Sequence, residues 1–294
     1  MDAILITGPT ASGKSALAVE LARKHGGEVI NADSMQVYDT LGVLTARPRD
    51  EDMGGIPHHL YGVIPAATAY STGEWLRAVT PLIEDLRARD RLPVFVGGTG
   101  LYFKALTGGL SDMPEIPAPI RAKWRARLAE DGPWALHAEL GAHDPGMAGQ
   151  LRPADGQRIL RALEVKEATG RSISEFQERR GTALIDPARA MKIIIEPERA
   201  VLHDRINRRF ETMLDRGAIE EVRALVALDL PRDLPVMKAI GVPQISAMLR
   251  GEMAREQVIS QASAATRQYA KRQMTWFRNQ MDESWERIES AGVR

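Results

Sequence analysis

The 294-residue chain contains no cysteine. That absence removes disulfides, thiolate metal sites and cysteine nucleophiles together. The first residues, Met1-Asp2-Ala3-Ile4-Leu5-Ile6-Thr7, carry an acid where a secretion signal needs positive charge. No apolar run approaches the ~18 residues of a membrane span; the longest are short patches such as Met191–Ile195. A soluble, cytoplasmic protein is expected, with no membrane partner. Neither sign of charge is in excess, since 39 Lys and Arg balance 39 Asp and Glu. Dedicated nucleic-acid binders are usually basic overall, so the sum argues against one, although a neutral total can hide a local basic stripe. Hydrophobic residues at 44% and charged residues at 27% are ordinary for a globular chain and argue against wholesale disorder. At ~100–200 residues per domain, the length suits one large domain or a core carrying a smaller one.

The opening reads strand, turn, helix. Ala3–Thr7 is a short apolar run, and Ala16, Leu17, Leu21 and Ala22 then recur at helical spacing up to Gly26-Gly27. Glu28–Asn31 predicts a second strand, ending at Asp33. A helical pattern from about Thr72 to Arg89 leads into a strand at Leu92–Val96, closed by Gly97-Gly98-Thr99-Gly100. Strands alternating with helices predict a parallel sheet covered on both faces, to which Met191–Glu196 would return. Prolines 114, 117 and 119 and the Asp186-Pro187 break enclose a stretch with helical periods and no convincing strand. It reads as a helical insertion in an α/β core. Beyond Glu196-Pro197 the pattern is helical almost to the end, with breaks at Gly217, Pro231–Pro235 and Gly241-Val242-Pro243.

Gly8-Pro9-Thr10-Ala11-Ser12-Gly13-Lys14-Ser15 fits the phosphate-loop pattern G-x-x-x-x-G-K-[ST] in full. Its glycines let backbone N–H groups turn inward around phosphate oxygens at a helix N-terminus. Lys14 adds charge on the terminal phosphates, and the Ser15 hydroxyl is placed to ligate Mg²⁺. The motif points to a pyrophosphate or nucleotide ligand and is silent about the chemistry. Asn31-Ala32-Asp33-Ser34-Met35-Gln36-Val37-Tyr38 lies on the same sheet edge, where ligands of open α/β sheets collect. Spacing leaves Asp33 open between a general base, a holder of Mg²⁺-bound water and an N-cap. A phosphotransferase predicts a strand ending in a metal-binding aspartate. Leu92–Val96 ends in Gly-Gly-Thr instead.

Taken together, the motifs resemble those of the tRNA dimethylallyltransferase (isopentenyltransferase) family, bacterial type. The carriers are the segments 8–15 and 31–38, Pro-His-His-Leu at 57–60 and Val-Gly-Gly-Thr-Gly-Leu-Tyr-Phe-Lys-Ala-Leu at 96–106. Gln-Arg-Ile-Leu-Arg-Ala-Leu-Glu-Val at 157–165 and Thr-Arg-Gln-Tyr-Ala-Lys-Arg-Gln-Met-Thr-Trp-Phe-Arg at 266–278 complete the set. The resemblance implies a P-loop NTPase-like parallel-sheet core, residues 1–112 and 187–294. An all-helical insertion, residues 113–186, would grip the tRNA anticodon stem-loop. It implies transfer of the dimethylallyl group from dimethylallyl pyrophosphate to N6 of the adenosine just 3′ of the anticodon (position 37), by a monomer with Mg²⁺. Asp33 is then the base, with Thr10 and Arg205 catalytic; Arg209, four residues on and on the same helix face, is the alternative to Arg205. The resemblance also implies tRNA contacts by Asp33, Ser34, Met35, Gln36, Thr99, Arg121, Gln157, Arg158, Ile159, Leu160 and Arg161.

Two basic groupings fit such a partner. Arg121, Lys123, Arg125 and Arg127 follow one another with no acid between them, and Arg267, Lys271 and Arg278 fall within ~40° on one helix. Two segments depart from the family pattern. Leu44-Thr45-Ala46-Arg47-Pro48 lacks the family's glycine, and Gly241-Val242-Pro243 replaces Gly-Tyr followed by a basic residue. Three other readings compete: an NTP-dependent small-molecule kinase, a nucleotide-regulated RNA-binding protein without chemistry, and a prenyltransferase acting on free AMP.

Overall fold

In the computed structural model, residues 1–178 and 181–290 are described. The strands are β1 (Ala3–Thr7), β2 (Gly27–Asn31), β3 (His58–His59), β4 (Leu92–Gly97), β5 (Ala190–Ile195) and β6 (Glu286–Ile288). The first helices are α1 (Lys14–His25), α2 (Asp50–Met53), α3 (Thr72–Ala88) and α4 (Gly100–Gly108). Next come α5 (Ala118–His143), α6 (Pro145–Ala148), α7 (Gly156–Thr169) and α8 (Ile173–Gln177). The last are α9 (Arg199–Met213), α10 (Ile219–Val226), α11 (Val242–Leu249) and α12 (Arg255–Gln280). Two compact units result, one of Met1–Thr107 with Leu184–Arg294 and one of Gly108–Ala183.

In the first unit the six strands are all parallel, in the order β3-β2-β4-β1-β5-β6. Side chains alternate between the two faces. Ile4, Ile6, Val94 and Val96 pack with Leu17, Ala18 and Ala22 of α1 on one face. Leu5 and Phe95 pack on the other with Trp75 and Ile83 of α3, Phe103 of α4 and Phe277 of α12. Strands buried on both sides read as unbroken apolar runs, which is why AILIT and PVFV are legible without a period of two. This is an α/β architecture. β3 and β6, at two and three residues, are too short to carry any pattern and went unpredicted.

Helix boundaries follow local chemistry. α1 ends because Gly26 adopts a left-handed conformation, φ 64°, and returns its N–H to Ala22 O. α3 begins with a capping box, in which Ser71 Oγ accepts from Glu74 N and Glu74 accepts from Ser71 N. At Gly241-Val242-Pro243 the expected break is the start of α11. Gly241 holds φ 100°, and Pro243 sits in the first turn, where no N–H is needed. Val242 is buried among Leu44, Phe210 and Ile245 in a core behind the sheet edge.

The second unit contains helices and no strand among its described residues. Within α5, Gly132 at φ 77° followed by Pro133 breaks the helix into two runs. Trp124, Leu136 and Leu140 of α5 pack against Ile159, Leu160 and Leu163 of α7. The expected limits, 113 and 186, are offset by a few residues from Gly108–Ala183, since 109–117 has no helix or strand to mark a border.

Candidate active site

Because β2, β4 and β1 are parallel neighbours, their carboxyl ends deliver three loops side by side. Thr7 lies opposite Gly97, and Asn31 opposite Val96. Segments 8–15, 31–38 and 97–100 therefore leave the sheet together. In the phosphate loop, Ala11 (φ 63°) and Gly13 (φ 91°) take left-handed conformations on either side of Ser12, which curls the backbone into an anion-binding concavity. Gly8 has no room for a side chain, since a Cβ would stand 2.8 Å from Ile195 O. Lys14 Nζ donates to Pro9 O at 3.2 Å, and Ser15 is exposed in the first turn of α1. Loss of solvent pushes the Lys14 ammonium down to about 8; Asp33 opposes this shift and Arg209 reinforces it.

Asp33 is clamped by its neighbours. Asn31 Oδ1 accepts from Asp33 N at 2.9 Å, and Asn31 Nδ2 donates to Asp33 O at 3.0 Å. Asp33 Oδ1 accepts from Met35 N at 2.9 Å and Gln36 N at 3.4 Å, so the capping role is real. The other oxygen, Oδ2, faces Gly98, where an added Cβ would come within 3.4 Å of it. Turn-making and a free-facing carboxylate oxygen coexist in one residue. Thr99 locks the adjacent position, its Oγ1 accepting from Ser34 N at 2.9 Å.

These loops open on a cavity of about 450 Å³. Thr10, Asp33, Arg209, Lys238, Tyr269 and Arg272 are part of its polar lining, and Asp33 is the single carboxylate there among the described residues. Leu44, Ile206, Phe210, Met213 and Ile240 supply an apolar wall. Burial lowers the Arg209 guanidinium while Asp33 opposes that shift, and burial together with Asp33 raises the Tyr269 phenol. Arg209 thus reaches the cavity, whereas Arg205 is exposed and does not line it. A buried amide ties the loops together: Gln273 of α12 accepts from Thr10 N at 3.0 Å and donates to Gly98 O at 2.9 Å. Gln273, Tyr269 and Arg272 lie in the quoted motif at 266–278 and Lys238 lies three residues before Gly241-Val242-Pro243, but nothing in their spacing singled them out.

A family model described as IPP transferase matches residues 36–280, and one described as isopentenyl transferase matches residues 1–61. The chain belongs to the IPP transferase family. It is 70% identical over 289 residues to a tRNA dimethylallyltransferase of Rhizobium meliloti, covering 98% of this chain and 95% of that one. It is 67% identical over 288 residues to the tRNA dimethylallyltransferase of Agrobacterium fabrum, covering 98% and 97%. A solved tRNA isopentenylpyrophosphate transferase from Bacillus halodurans has TM-score 0.69 at 35% identity, over 98% of this chain and 90% of that one. A eukaryotic dimethylallyltransferase solved acting on tRNA has TM-score 0.79 at 29% identity, over 94% and 69%.

The remaining expected contacts of this IPP transferase lie in the helical unit. Gln157 and Arg158 are exposed on α7, and Arg161 is half-buried beside Glu164. Ile159 and Leu160 are core residues there, with 0% and 6% of their surface exposed. Their side chains are spent on packing. The basic run at the start of α5 is also less bare than its sequence suggests. Lys123 pairs with Glu167 at 2.8 Å, and Arg127 with Asp131 at 2.6 Å and Glu139 at 2.8 Å. Arg121 is exposed and has no ion pair among the described residues.

No group of three or more His, Asp or Glu side chains able to hold a metal exists among the described residues. The exposed Ser15 hydroxyl, in the first turn of α1, is an oxygen donor of the kind Mg²⁺ takes beside phosphate oxygens and water. No helix among the described residues is long and apolar enough to cross a membrane.

Proposed function

We propose that the chain is a tRNA dimethylallyltransferase, moving the dimethylallyl group of dimethylallyl pyrophosphate to N6 of adenosine 37 and releasing pyrophosphate. The observation that carries this reading is the divided lining of the cavity, where Thr10 of the 8–15 loop, Arg209 and Arg272 supply polar groups and Leu44, Ile206 and Phe210 an apolar wall, with Lys14 near enough to feel Asp33 and Arg209. Such a division suits a donor with an anionic head and a hydrocarbon tail. A kinase reading is disfavoured because Asp33 is the lining's single carboxylate among the described residues, too few acids to organise metal-assisted γ-phosphoryl transfer.

In the step itself, the adenine N6 forms a bond to the allylic carbon as the carbon–oxygen bond to pyrophosphate breaks. Asp33 Oδ2 takes the N6 proton, which removes positive charge from a poor nucleophile as it reacts. Charge growing on the leaving pyrophosphate meets Lys14, the loop N–H groups, Thr10 and Arg209, all held in place before reaction. The Ser15 hydroxyl would hold Mg²⁺ beside the pyrophosphate, and the ion would supply further positive charge there. The target base must leave its stack to reach Asp33. Ser34–Gln36 and Thr99 contact the tRNA beside it. In the helical unit, Arg121, Gln157, Arg158 and Arg161 contact the anticodon stem-loop, positioning the RNA through its phosphates. The enzyme acts as a monomer in the cytoplasm.

The test is a mixture of protein, unmodified tRNA, Mg²⁺ and either dimethylallyl pyrophosphate or ATP, with nucleosides read by mass spectrometry. An adenosine carrying one dimethylallyl group, only with the prenyl donor, is the expected result. ATP consumption with no modified nucleoside overturns the reading.

A further inference from the structure

One wall of the cavity is made by Leu44 and Thr45, which sit in an irregular turn with no ladder or helix to hold it. Besides its own bonds, Ala46 N to Val43 O and Arg47 N to Gly42 O, the turn takes partners from elsewhere. Glu221 Oε1 on α10 accepts from Gly42 N at 3.0 Å and Val43 N at 2.6 Å, and Oε2 accepts from Leu44 N at 3.0 Å. Three consecutive N–H groups thus converge on one carboxylate that does not itself line the cavity. On its far side the turn is held by Gln36, whose Nε2 donates to Thr45 O at 3.0 Å and Ala46 O at 2.9 Å. Leu44 is driven hard against Gly241, where an added Cβ would lie 2.6 Å from Leu44 Cδ1.

We infer that Glu221 is a positioning residue for donor specificity. By fixing the 42–44 backbone it sets how far Leu44 projects into the cavity, which stops a prenyl tail longer than dimethylallyl. The inference rests on the prenyl-transfer reading. A packed wall rejects added methylenes only while its backbone cannot retreat, and three N–H groups released to water would let it retreat.

The test compares wild-type protein and Glu221→Gln on one tRNA transcript with dimethylallyl or geranyl pyrophosphate, and inorganic pyrophosphate as inhibitor. Gln keeps the shape but turns an NH₂ toward a donor. KM for dimethylallyl pyrophosphate should rise about tenfold, and the preference over geranyl pyrophosphate should fall by at least about tenfold. Turnover should stay within about threefold, and inhibition by pyrophosphate should not change, because the anionic head is held elsewhere. Gly42→Ala, whose Cβ would stand 3.3 Å from Glu221 Oε1, should weaken the preference in the same direction with Glu221 intact. Leu44→Ala should weaken it too, and adding Glu221→Gln to Leu44→Ala should cost little more. A Glu221→Gln protein that melts earlier yet keeps its donor preference overturns the inference. So does a loss of pyrophosphate inhibition equal to the rise in donor KM. A wild-type protein that prenylates no tRNA overturns instead the reading beneath it.

Discussion

Two carboxylates stand at opposite ends of β2. Glu28, near its amino end, is 3% exposed and fully engaged, by His59 at 2.7 Å, Arg89 at 2.7 Å and Arg91 at 3.4 Å. These partners hold its carboxyl down at about 2, the Arg89 hydrogen bond leading and burial opposing. Asp33, two residues beyond the carboxyl end, spends one oxygen on its own turn, leaves the other facing Gly98, and lines the cavity. The first arrangement satisfies its charge and staples β2, β3 and the end of α3. The second leaves Oδ2 outside that turn, with Lys14 and Arg209 close enough to feel its charge. One strand thus carries a saturated carboxylate at one end and, just past the other, a half-engaged one beside a cavity.

The largest expected effect would break this contrast if absent. Asp33→Ala should lower single-turnover prenyl transfer about 10³-fold while donor binding persists and unfolding stability drops by about 1 kcal/mol or less. Unchanged turnover would remove Asp33 from the proton-accepting role. Next, Arg209→Ala should raise donor KM about 10- to 100-fold, and Arg205→Ala should leave it within about threefold. The reverse ranking would place the pyrophosphate one helical turn away.

Glu28→Gln should cost about 2–3 kcal/mol at pH 7 in urea unfolding, with kcat intact. Because the folded pKa of Glu28 is depressed, its contribution is full above the unfolded value of 4.5 and fades as pH falls toward about 2. The gap between wild type and variant should close over that window. Lys14 is a cost rather than a gain, although its pH slope has the same sign. Its pKa is lowered from 10.5 to about 8, so the ligand-free fold bears the cost of a confined charge fully below about 8, and stability rises with pH between the two values. Lys14→Met should therefore stabilise the free protein by about 1 kcal/mol at pH 7, discounted for the solvent the side chain still sees. In wild type, kcat/KM for the donor should fall as pH rises through about 8; a flat profile there would detach Lys14 from donor binding.

Much of this site is legible in the chain because its loops are contiguous. Gly8–Ser15 needs only its own backbone to make an anion cradle, and Asn31 and Asp33 bond each other two residues apart. Arg205 and Arg209 were not separable in that way. They share a helix face, and which one reaches the cavity depends on depth along α9, a matter of one ~5.4 Å turn. Leu202 and Ile206 pack with Ala11, which places the following turn, with Arg209, at the opening. The acids that partner Lys123 and Arg127 were equally hidden, since Glu167 comes from another helix and Glu139 from beyond the Gly132 break. Likewise, the apolar period that predicted α7 made Ile159 and Leu160 core positions, although both fall inside the quoted RNA motif.

By itself, the order of residues determined the curled loop at 8–15, the strand–helix alternation, the helical character of the middle segment and the family. These are local geometries or ordered motifs, and each is complete within a short run of chain. Tertiary structure alone decided that Leu44, Arg209, Ile240 and Tyr269 share one cavity. It also decided that Gln273 joins two loops and that Glu221 holds a third. Those contacts join segments up to 263 residues apart, and the depth at which helices pack on the sheet is set by all the side chains beneath them.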